Sequence, residues 1–343
     1  MEQKIKNFQS LEDIATAPWF GQILFTAVEK KIFDAIKSPT DIIKLSEFLN
    51  FTEDATFRFL QILGQMELIT LNEKTVENTA IANTYLVTDA PLYQGHSILW
   101  RKHLCESWEN LDEALKIGGR ANFPEDNTKE AIKKRFLIYS LAMDDIARCK
   151  AQEIGNIFKN IKISGKILDL GSGMGAISRY FLEENPQNTA VFCDIEDVLD
   201  ICKDILPKNL QKRINFCNMN ILQPWVSLKN EKFDLVVMSN IVHAFDTPDN
   251  TALLTKVSQH LTKDGIVLIH DFFHDHCPIK AGIMDINMLI NTYNGKIFAY
   301  EEIVQILKDS RIPYAKAIAL PSDTALIVGA KNEKALLRIE ANQ

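Results

Sequence analysis

The chain has 343 residues, 46% of them apolar and 24% charged, and its 45 acidic residues outnumber its 38 basic ones for a net charge of −7. This composition excludes a largely disordered chain, and the acidic balance is unfavourable for general nucleic-acid binding. We expect no secretory signal and no membrane span, since no apolar run approaches the ~20 residues that a bilayer requires. The six cysteines are scattered without a C-x-x-C pair, which predicts reduced thiols, no metal and a cytoplasmic location.

The N-terminal part of the chain has a helical pattern. One apolar stripe of a first helix is formed by Phe20, Ile23, Leu24, Ala27 and Val28. Two shorter helices are predicted over residues 38–49 and 52–65, the second with Thr52 as its N-cap, and a hairpin over 68–77. Helix, helix and hairpin are the outline of a winged helix. The stripe, together with Trp19 and Phe33, is more apolar surface than such a small domain can bury alone, so we expect a dimer.

Long helices are predicted over about 91–117 and 128–159, joined by a loop at 118–127. After residue 160 strands and helices alternate, which predicts an α/β fold with a mostly parallel sheet and helices on both faces. The strands are predicted at 166–170, 190–193, 214–217, 233–238, 266–270 and 324–328. The helices between and after them are predicted at 175–185, 195–205, 249–262 and 300–309.

A glycine-rich turn follows the first of these strands and precedes a helix. Glycines 171, 173 and 175 permit positive φ and a close approach of a ligand to the backbone, and the helix start offers free N–H groups. The spacing Gly171-x-Gly173-x-x-Ala176, with Asp194 23 residues past Gly171, also satisfies a loose dinucleotide fingerprint. Asp169 would repel a diphosphate, however, and favours a cationic ligand without phosphate such as S-adenosylmethionine.

Asp169-Leu-Gly171-Ser-Gly173-Met-Gly175 resembles the first motif of class I S-adenosylmethionine-dependent methyltransferases. The wider pattern is similar to the small-molecule O-methyltransferases of the hydroxyindole, caffeate and polyketide type, over nearly the whole chain. The resemblance implies a Rossmann-like sheet with an antiparallel last strand, preceded by a winged-helix dimerisation domain. It implies a dimerisation domain over 1–110, linking helices over 111–160 that contribute to the substrate pocket, a cofactor domain over 161–343, and a homodimer.

The resemblance also assigns a cofactor site to residues at the ends of the predicted strands. Asp194 would hold the ribose hydroxyls, and either Met219 or Ile221 would pack against the adenine ring. Asn220 stands where the family has an acid that meets the adenine amino group, and its amide oxygen can still accept a hydrogen bond. The full set of expected cofactor residues is Asp169, Gly171, Gly173, Gly175, Asp194, Ile195, Met219, Asn220 and Ser239.

The segment from Ser239 to Phe245 matches the motif in which the family carries a catalytic histidine, here His243. The family's second catalytic carboxylate corresponds to Asp271. A phenol has a pKa near 10 and a free histidine about 6.5; a carboxylate on the other ring nitrogen would fix the tautomer and make the histidine more basic. The sequence departs from the family where acids and a tryptophan are usual, at Ala244, Phe245 and Ile297.

The acceptor pocket is expected to draw its lining from the long helices and from the segment after Asp271. The candidates are Phe136, Tyr139, Met143, Met284, Met288 and Tyr293, with Trp100, His103 and Trp108 as further residues that could reach it. Residues of these types at helical spacing are often plain core. The cluster His270, Asp271, His274, Asp275 and His276 permits a metal interpretation, but strand alternation turns His270 and Asp271 to opposite faces, so solvated loop residues are expected instead.

The favoured hypothesis is methyl transfer from S-adenosylmethionine to a hydroxyl of a small aromatic or heteroaromatic molecule. Methylation at carbon or nitrogen, for example of a tetrapyrrole or heterocycle, is an alternative within the enzymes. A different class is a regulatory protein that uses its winged helix on DNA; its recognition helix carries Arg58 but also Glu53 and Asp54, a poor surface for phosphate. A nicotinamide-dependent oxidoreductase is a third class.

Overall fold

The structure is a computed structural model that describes residues 5–121, 128–161 and 163–340. These residues form two compact units. The first holds the chain up to Glu106 together with Leu141–Ile146, and the second holds Ser107–Ser140 and the chain from Ala147 onwards. Within the described residues no helix is long and apolar enough to cross a membrane. All six cysteines are free.

The first unit is a helical domain with a small sheet. Its helices are α1 (Phe8–Glu29), α2 (Ile32–Ala35), α3 (Ile42–Leu49), α4 (Glu53–Gln65), α5 (Ala80–Tyr85) and α6 (Gly95–Trp108). Its strands are β1 (Thr40–Asp41), β2 (Ile69–Leu71) and β3 (Thr75–Asn78), arranged in the order β1-β3-β2. Helices α3 and α4 with the β2–β3 hairpin confirm the winged-helix outline. The hydroxyl of Thr52 caps α4 by accepting from the Ala55 N–H at 3.3 Å, as expected.

The long helical stretch predicted over 91–117 is divided into two helices in the structure. The first begins only at Gly95, where the carboxylate of Asp145 accepts from the backbone N–H groups of His96 and Ser97 at 2.9 and 3.2 Å. A carboxylate at a helix N-terminus satisfies free donors and the helix dipole. This helix ends at Trp108, and α7 starts at Leu111 after a turn. The start of α3 also lies later than predicted, because Thr40 and Asp41 pair with β3 before Asp41 caps the helix.

The apolar stripe of α1 divides between core and surface. Ala27 and Val28 are buried, and Phe33 beyond the helix is buried as well. Trp19 and Phe20, by contrast, are 67% and 49% exposed. The expected surplus of apolar surface therefore lies toward the N-terminal end of the helix rather than along the whole stripe.

The second unit is a seven-stranded sheet with helices on both faces. Its strands are β4 (Lys166–Leu170), β5 (Thr189–Asp194), β6 (Ile214–Asn218), β7 (Phe233–Ser239), β8 (Leu261–Asp271), β9 (Tyr314–Ala319) and β10 (Ala325–Ala330). Helix α8 contributes to both units. The helices of this part of the chain are α7 (Leu111–Ile117), α8 (Lys129–Phe158), α9 (Ala176–Glu184), α10 (Glu196–Ile205), α11 (Lys208–Gln211), α12 (Thr247–His260), α13 (Pro278–Asn291), α14 (Tyr300–Asp309) and α15 (Glu333–Glu340).

The strand order is β6-β5-β4-β7-β8-β10-β9. Strands β4 to β8 pair in parallel, and β10 runs antiparallel to both β8 and β9. This confirms the mostly parallel sheet with an antiparallel last strand. Since helices cover both faces, the central strands are mostly apolar, and Val236, Val237 and Met238 of β7 are all fully buried. The carboxyl ends of β4, β5, β7 and β8 lie along one edge, where ligands of open α/β sheets bind.

Candidate active site

The glycine-rich turn between β4 and α9 has the backbone that only glycine adopts readily. Gly171, Gly173 and Gly175 have φ values of 62°, 53° and 68°. The turn is tied to the next strand, since the N–H groups of Gly171 and Ser172 both donate to the carbonyl of Cys193. A Cβ placed on Gly173 would meet nothing within 4 Å, and the buried Ser172 hydroxyl has no hydrogen-bond partner among the described residues. The turn therefore leaves open space in front of Gly173.

Asp169 lies inside β4 just before this turn and is only 3% exposed. Burial raises the pKa of its carboxyl to about 8; the neighbouring Ser178 hydroxyl opposes this shift, and the negative charge of Asp194 adds to it. A buried carboxyl group is costly to ionise without a compensating positive charge. Ionisation of Asp169 becomes favourable once a positive charge lies beside the carboxyl group. This is the property expected of a group that faces a cationic ligand.

Asp194 ends β5 and is held by the glycine-rich turn. One carboxylate oxygen accepts from the Gly173 N–H at 2.9 Å and the other from the Ile195 N–H at 2.8 Å. The backbone continues this frame, since the Met219 N–H donates to the Asp194 carbonyl at 3.1 Å. Burial raises the pKa of Asp194, while the two backbone donors oppose that shift. Asp194 and the half-buried Met219 thus lie together, with Ile195 41% exposed beside them.

Asn220 is exposed, and its amide oxygen already accepts from the Leu222 N–H at 2.9 Å. The side chain of Asn220 therefore stabilises the turn that contains it. A carbonyl oxygen has a second lone pair, so the expected contact with an adenine amino group stays a prediction.

His243 and Asp271 form a pair across the ends of β7 and β8. Nδ1 of His243 lies 2.5 Å from Oδ1 of Asp271, although the residues are 28 positions apart in the chain. Asp271 also accepts from the backbone N–H of Phe272 at 2.8 Å and of His243 at 3.3 Å. The carboxylate is fully buried and the imidazole is 14% exposed. Because a carboxylate only accepts, Nδ1 carries the hydrogen and Nε2 keeps a free lone pair.

His270 has a separate structural place beside this pair. Its two ring nitrogens lie 2.9 Å from the hydroxyls of Ser239 and Thr324, so the fully buried ring joins the ends of β7, β8 and β10. Burial lowers the pKa of His270 to about 4, which keeps the ring neutral. His276 instead contacts the Ser322 carbonyl, and Asp275 accepts from the Tyr300 N–H. Within the described ranges no three His, Cys, Asp or Glu side chains gather as a metal set.

The residues expected to line the acceptor pocket differ in placement. Met284 and Met288 belong to a small apolar cluster. The cluster also contains Ala281, Ile297 and Phe272, which directly follows Asp271. Phe136 packs against the main core on one face of the sheet. Tyr293 is 81% exposed. Met143 is half-buried in the first unit, and its expected role stays a prediction.

Tyr139 lies nearer the cofactor side than the sequence indicated. It is 43% exposed; desolvation raises the pKa of its phenol, and the negative charge of Asp194 adds to the shift. Its expected contact with the acceptor stays a prediction.

Two residues of the site have no signal in the sequence. One is His270, whose role as a bridge depends on Thr324, 54 positions away. The other is Gly295, where an added Cβ would lie 2.4 Å from the main-chain oxygen of His243. Both contacts depend on how distant segments meet, which residue type and spacing do not reveal.

Comparison with known proteins adds the family context. Residues 168–267 match the family model described as a methyltransferase domain. The chain is 23% identical over 340 residues to 3-hydroxy-5-methyl-1-naphthoate 3-O-methyltransferase of Streptomyces sahachiroi, covering 94% of both chains. It is 21% identical over 338 residues to phenazine-1-carboxylate N-methyltransferase of Pseudomonas aeruginosa, covering 94% of this chain and 97% of that one. The crystal structure of human N-acetylserotonin methyltransferase in complex with SAM superposes with a TM-score of 0.83 at 18% identity, covering 97% of this chain and 99% of that one.

Proposed function

We propose that the chain is an S-adenosylmethionine-dependent small-molecule O-methyltransferase, which methylates a hydroxyl of an aromatic or heteroaromatic molecule with His243 as the general base. The observation that carries the proposal is the His243–Asp271 pair, 2.5 Å apart at the edge of the sheet where the glycine-rich turn lies. The geometry leaves one ring nitrogen free to accept a proton.

The residues around the glycine-rich turn suit the cofactor. Asp169 would face its positive charges, Asp194 would accept hydrogen bonds from its ribose hydroxyls, and Met219 would pack against its adenine. The backbone of Gly171, Gly173 and Gly175 would allow it close approach. When bound, the cofactor supplies a methyl group on a positively charged sulfur. A diphosphate would bring no positive charge to stabilise the ionised form of Asp169 and would add negative charge beside Asp194, which argues against a nicotinamide dinucleotide.

The protein's own contribution is then positioning, exclusion of water and removal of one proton. Nε2 of His243 would accept the proton of the acceptor hydroxyl, while Asp271 holds the ring in the required tautomer and stabilises the imidazolium. The apolar cluster of Phe272, Met284 and Met288 would shield the acceptor from water. Holding the donor and acceptor in line can supply up to ~7–11 kcal/mol of barrier lowering.

Methylation at nitrogen is the second candidate, because one relative of similar identity and coverage is an N-methyltransferase. Its chemistry differs in one respect: a ring nitrogen with a free lone pair needs no base. Dependence of turnover on His243 therefore separates the two reactions.

The direct test is turnover with labelled S-adenosylmethionine and a panel of phenols, hydroxylated heterocycles and ring-nitrogen acceptors. Nuclear magnetic resonance of the product identifies the methylated atom. We expect methyl ethers, and we expect His243→Asn to lower kcat for their formation by about 10²–10⁴-fold while cofactor affinity stays unchanged. Methylation at nitrogen that is independent of His243 would overturn the proposal in favour of the second candidate.

We further propose that the first unit, with its winged helix, is a homodimerisation domain. The support is the exposed apolar surface of α1, where Phe8, Leu11 and Trp19 are 75%, 50% and 67% exposed. A DNA-binding role is not favoured, since Arg58 on α4 pairs with Asp54 at 2.9 Å, leaving no net positive charge in that pair.

A further inference from the structure

The connection between α13 and α14 packs against the turn that carries His243. A Cβ built on Gly295 would lie 2.4 Å from the main-chain oxygen of His243 and 3.2 Å from the carbonyl carbon of Ala244. It would also lie 2.5 Å from the Thr292 hydroxyl oxygen. Real Cβ atoms are essentially never found within 3.0 Å of another heavy atom, and a main-chain oxygen cannot rotate away. Two backbones therefore touch here, and only glycine fits between them.

The connection is anchored on both sides of Gly295. Its N–H donates to the Thr292 hydroxyl at 3.0 Å, which donates in turn to the carbonyl of Met288 in α13. On the other side the Ile297 N–H donates to Asp285 of the same helix at 2.7 Å. The Asn294 side chain reaches Asp249 in α12 at 3.2 Å. With anchors on two helices, this connection retreats less easily than a free loop.

The turn on the other side of the contact is held from behind. The side-chain amide of Asn250 donates to the carbonyl groups of Val242 and Phe245 at 2.8 and 3.1 Å, and Asp271 accepts from the His243 N–H. The connection that contains Gly295 contacts the same turn on its other side, at the main-chain oxygen of His243. Any atom added at Gly295 would push on the backbone of His243 itself.

We propose that Gly295 is a positioning residue that sets the place of His243, and that it couples α13, which carries Met284 and Met288, to the proton-accepting nitrogen. The inference rests on the proposed function in which His243 is the base. It assigns a purpose to the missing side chain at 295: the imidazole keeps its alignment with Asp271 and the acceptor only while the two backbones stay in contact.

The test is Gly295→Ala, with Gly282→Ala as the matched control. Gly282 lies in α13 and an added Cβ there meets nothing within 4 Å. We expect Gly295→Ala to lower kcat about 10- to 100-fold, since a misplacement of about 1 Å can cost two orders of magnitude. The Kd for S-adenosylmethionine should stay unchanged, because the glycine-rich turn and the ends of β5 and β6, which carry most of the expected cofactor residues, do not contact Gly295. Gly282→Ala should keep the wild-type kcat.

A second readout does not need an active enzyme. The ring signals of His243 in a nuclear magnetic resonance spectrum, assigned by their loss in His243→Asn, should shift in Gly295→Ala and not in Gly282→Ala. Unshifted signals together with wild-type kcat in Gly295→Ala would overturn the positioning role. If the wild-type chain methylates no hydroxyl acceptor, the proposed function fails, while the signals still decide whether Gly295 positions the ring.

Should Gly295→Ala fail to fold, Thr292→Val decides the question. Valine keeps the shape of threonine but removes the acceptor for the Gly295 N–H. We expect a smaller loss of kcat in the same direction and a smaller shift of the His243 signals. Wild-type values for both quantities would contradict the proposal.

Discussion

The carboxylate of Asp271 determines which ring nitrogen of His243 is free. Asp271 is fully buried and uses its remaining accepting capacity on backbone N–H groups, so it has little freedom to turn away from the ring. Ala244 and the buried Ile297, where the sequence resemblance would have led us to expect acids, carry no carboxyl group. Asp271 is thus the carboxylate that the structure places on the ring.

Replacing His243 by asparagine should lower kcat by about 10²–10⁴-fold, the usual contribution of a general base. Asp271→Asn should also lower kcat, because an amide can donate to Nδ1 and so favour the tautomer with no free lone pair on Nε2. Steady-state kinetics with a phenolic acceptor measures both. The control is His274→Asn, an exposed histidine three positions past Asp271. Wild-type kcat in His243→Asn would refute the assigned role.

Asp169 predicts proton release on cofactor binding. Its pKa is raised to about 8 by burial, so at pH 7 the free protein holds this carboxyl mostly protonated. A bound cation favours the carboxylate, so S-adenosylmethionine should displace up to one proton. Affinity should then rise with pH up to about 8 and level off above it. Calorimetry at pH 7 in two buffers of different ionisation enthalpy measures the proton released.

The raised pKa of Asp169 also makes the stability of the protein depend on pH. A carboxyl whose pKa is raised on folding binds its proton more tightly in the native state than in the unfolded chain, so its contribution to stability falls as pH rises from about 4 towards 8. Asp169→Asn should remove both this slope and the proton release. Because the pKa of Asp194 is also raised by burial, undiminished release in Asp169→Asn would assign the proton to Asp194 instead.

At the scale of elements, two glycines of the turn between β4 and α9 differ in the cost of a substitution by alanine: one would suffer backbone strain alone, the other backbone strain and a steric clash. Alanine at Gly173 would be strained only by the positive φ of 53°, whereas at Gly175 its Cβ would also lie 2.2 Å from the ring of Phe192. A left-handed non-glycine residue costs about 1–2 kcal/mol, and an overpacked core about 1–3 kcal/mol more. Urea unfolding should therefore rank Gly175→Ala below Gly173→Ala in stability.

Cofactor affinity should follow a different order. The space in front of Gly173 is open, so its new methyl group would enter the volume left for the cofactor. We expect Gly173→Ala to remain folded and to lose affinity beyond what its stability predicts. An unchanged Kd in Gly173→Ala would show that the cofactor does not pass this close to the turn.

The elements that the sequence predicted well are those with strong local patterns. The runs around 166–170 and 233–238 are mostly apolar and are bounded by turn residues, and Thr52 is a capping residue with a clear helix after it. Strand β9, Tyr314–Ala319, was missed because it alternates weakly at the sheet edge and stays half-exposed. The break after Trp108 was missed because it depends on a turn within an otherwise helical pattern, and the start at Gly95 depends on Asp145, about 50 positions away.

The site was predictable where one residue type does one chemical task. A carboxylate at the end of β5, glycines at positive φ and a histidine after β7 can each be recognised one at a time. The contacts that join them depend on strand register: Ser239 stands opposite His270, which sets Asp271 beside His243. Contacts such as that between Gly295 and the main-chain oxygen of His243 depend on how two loops pack. Residue types and their spacing do not predict such packing.

At the scale of the whole molecule, α1 presents apolar side chains that its own unit does not cover. Phe8, Leu11 and Trp19 recur at helical spacing along one side, and each is at least half exposed. Apolar surface of this extent on a helix face marks an interaction site more often than plain surface. A second copy of the same chain is the partner that the family resemblance implies, and the two copies of α1 would cover each other.

Trp19→Glu should therefore convert a dimer into a monomer. The charge would have to be buried without a partner in the interface, which costs more than the contact contributes. Light scattering after size exclusion at micromolar concentration measures the mass, and Val226→Glu, at an equally apolar site 77% exposed in the second unit, is the control that should stay dimeric. A wild-type chain that is monomeric at this concentration, or a Trp19→Glu variant that remains dimeric, would contradict the assignment of α1 as the interface.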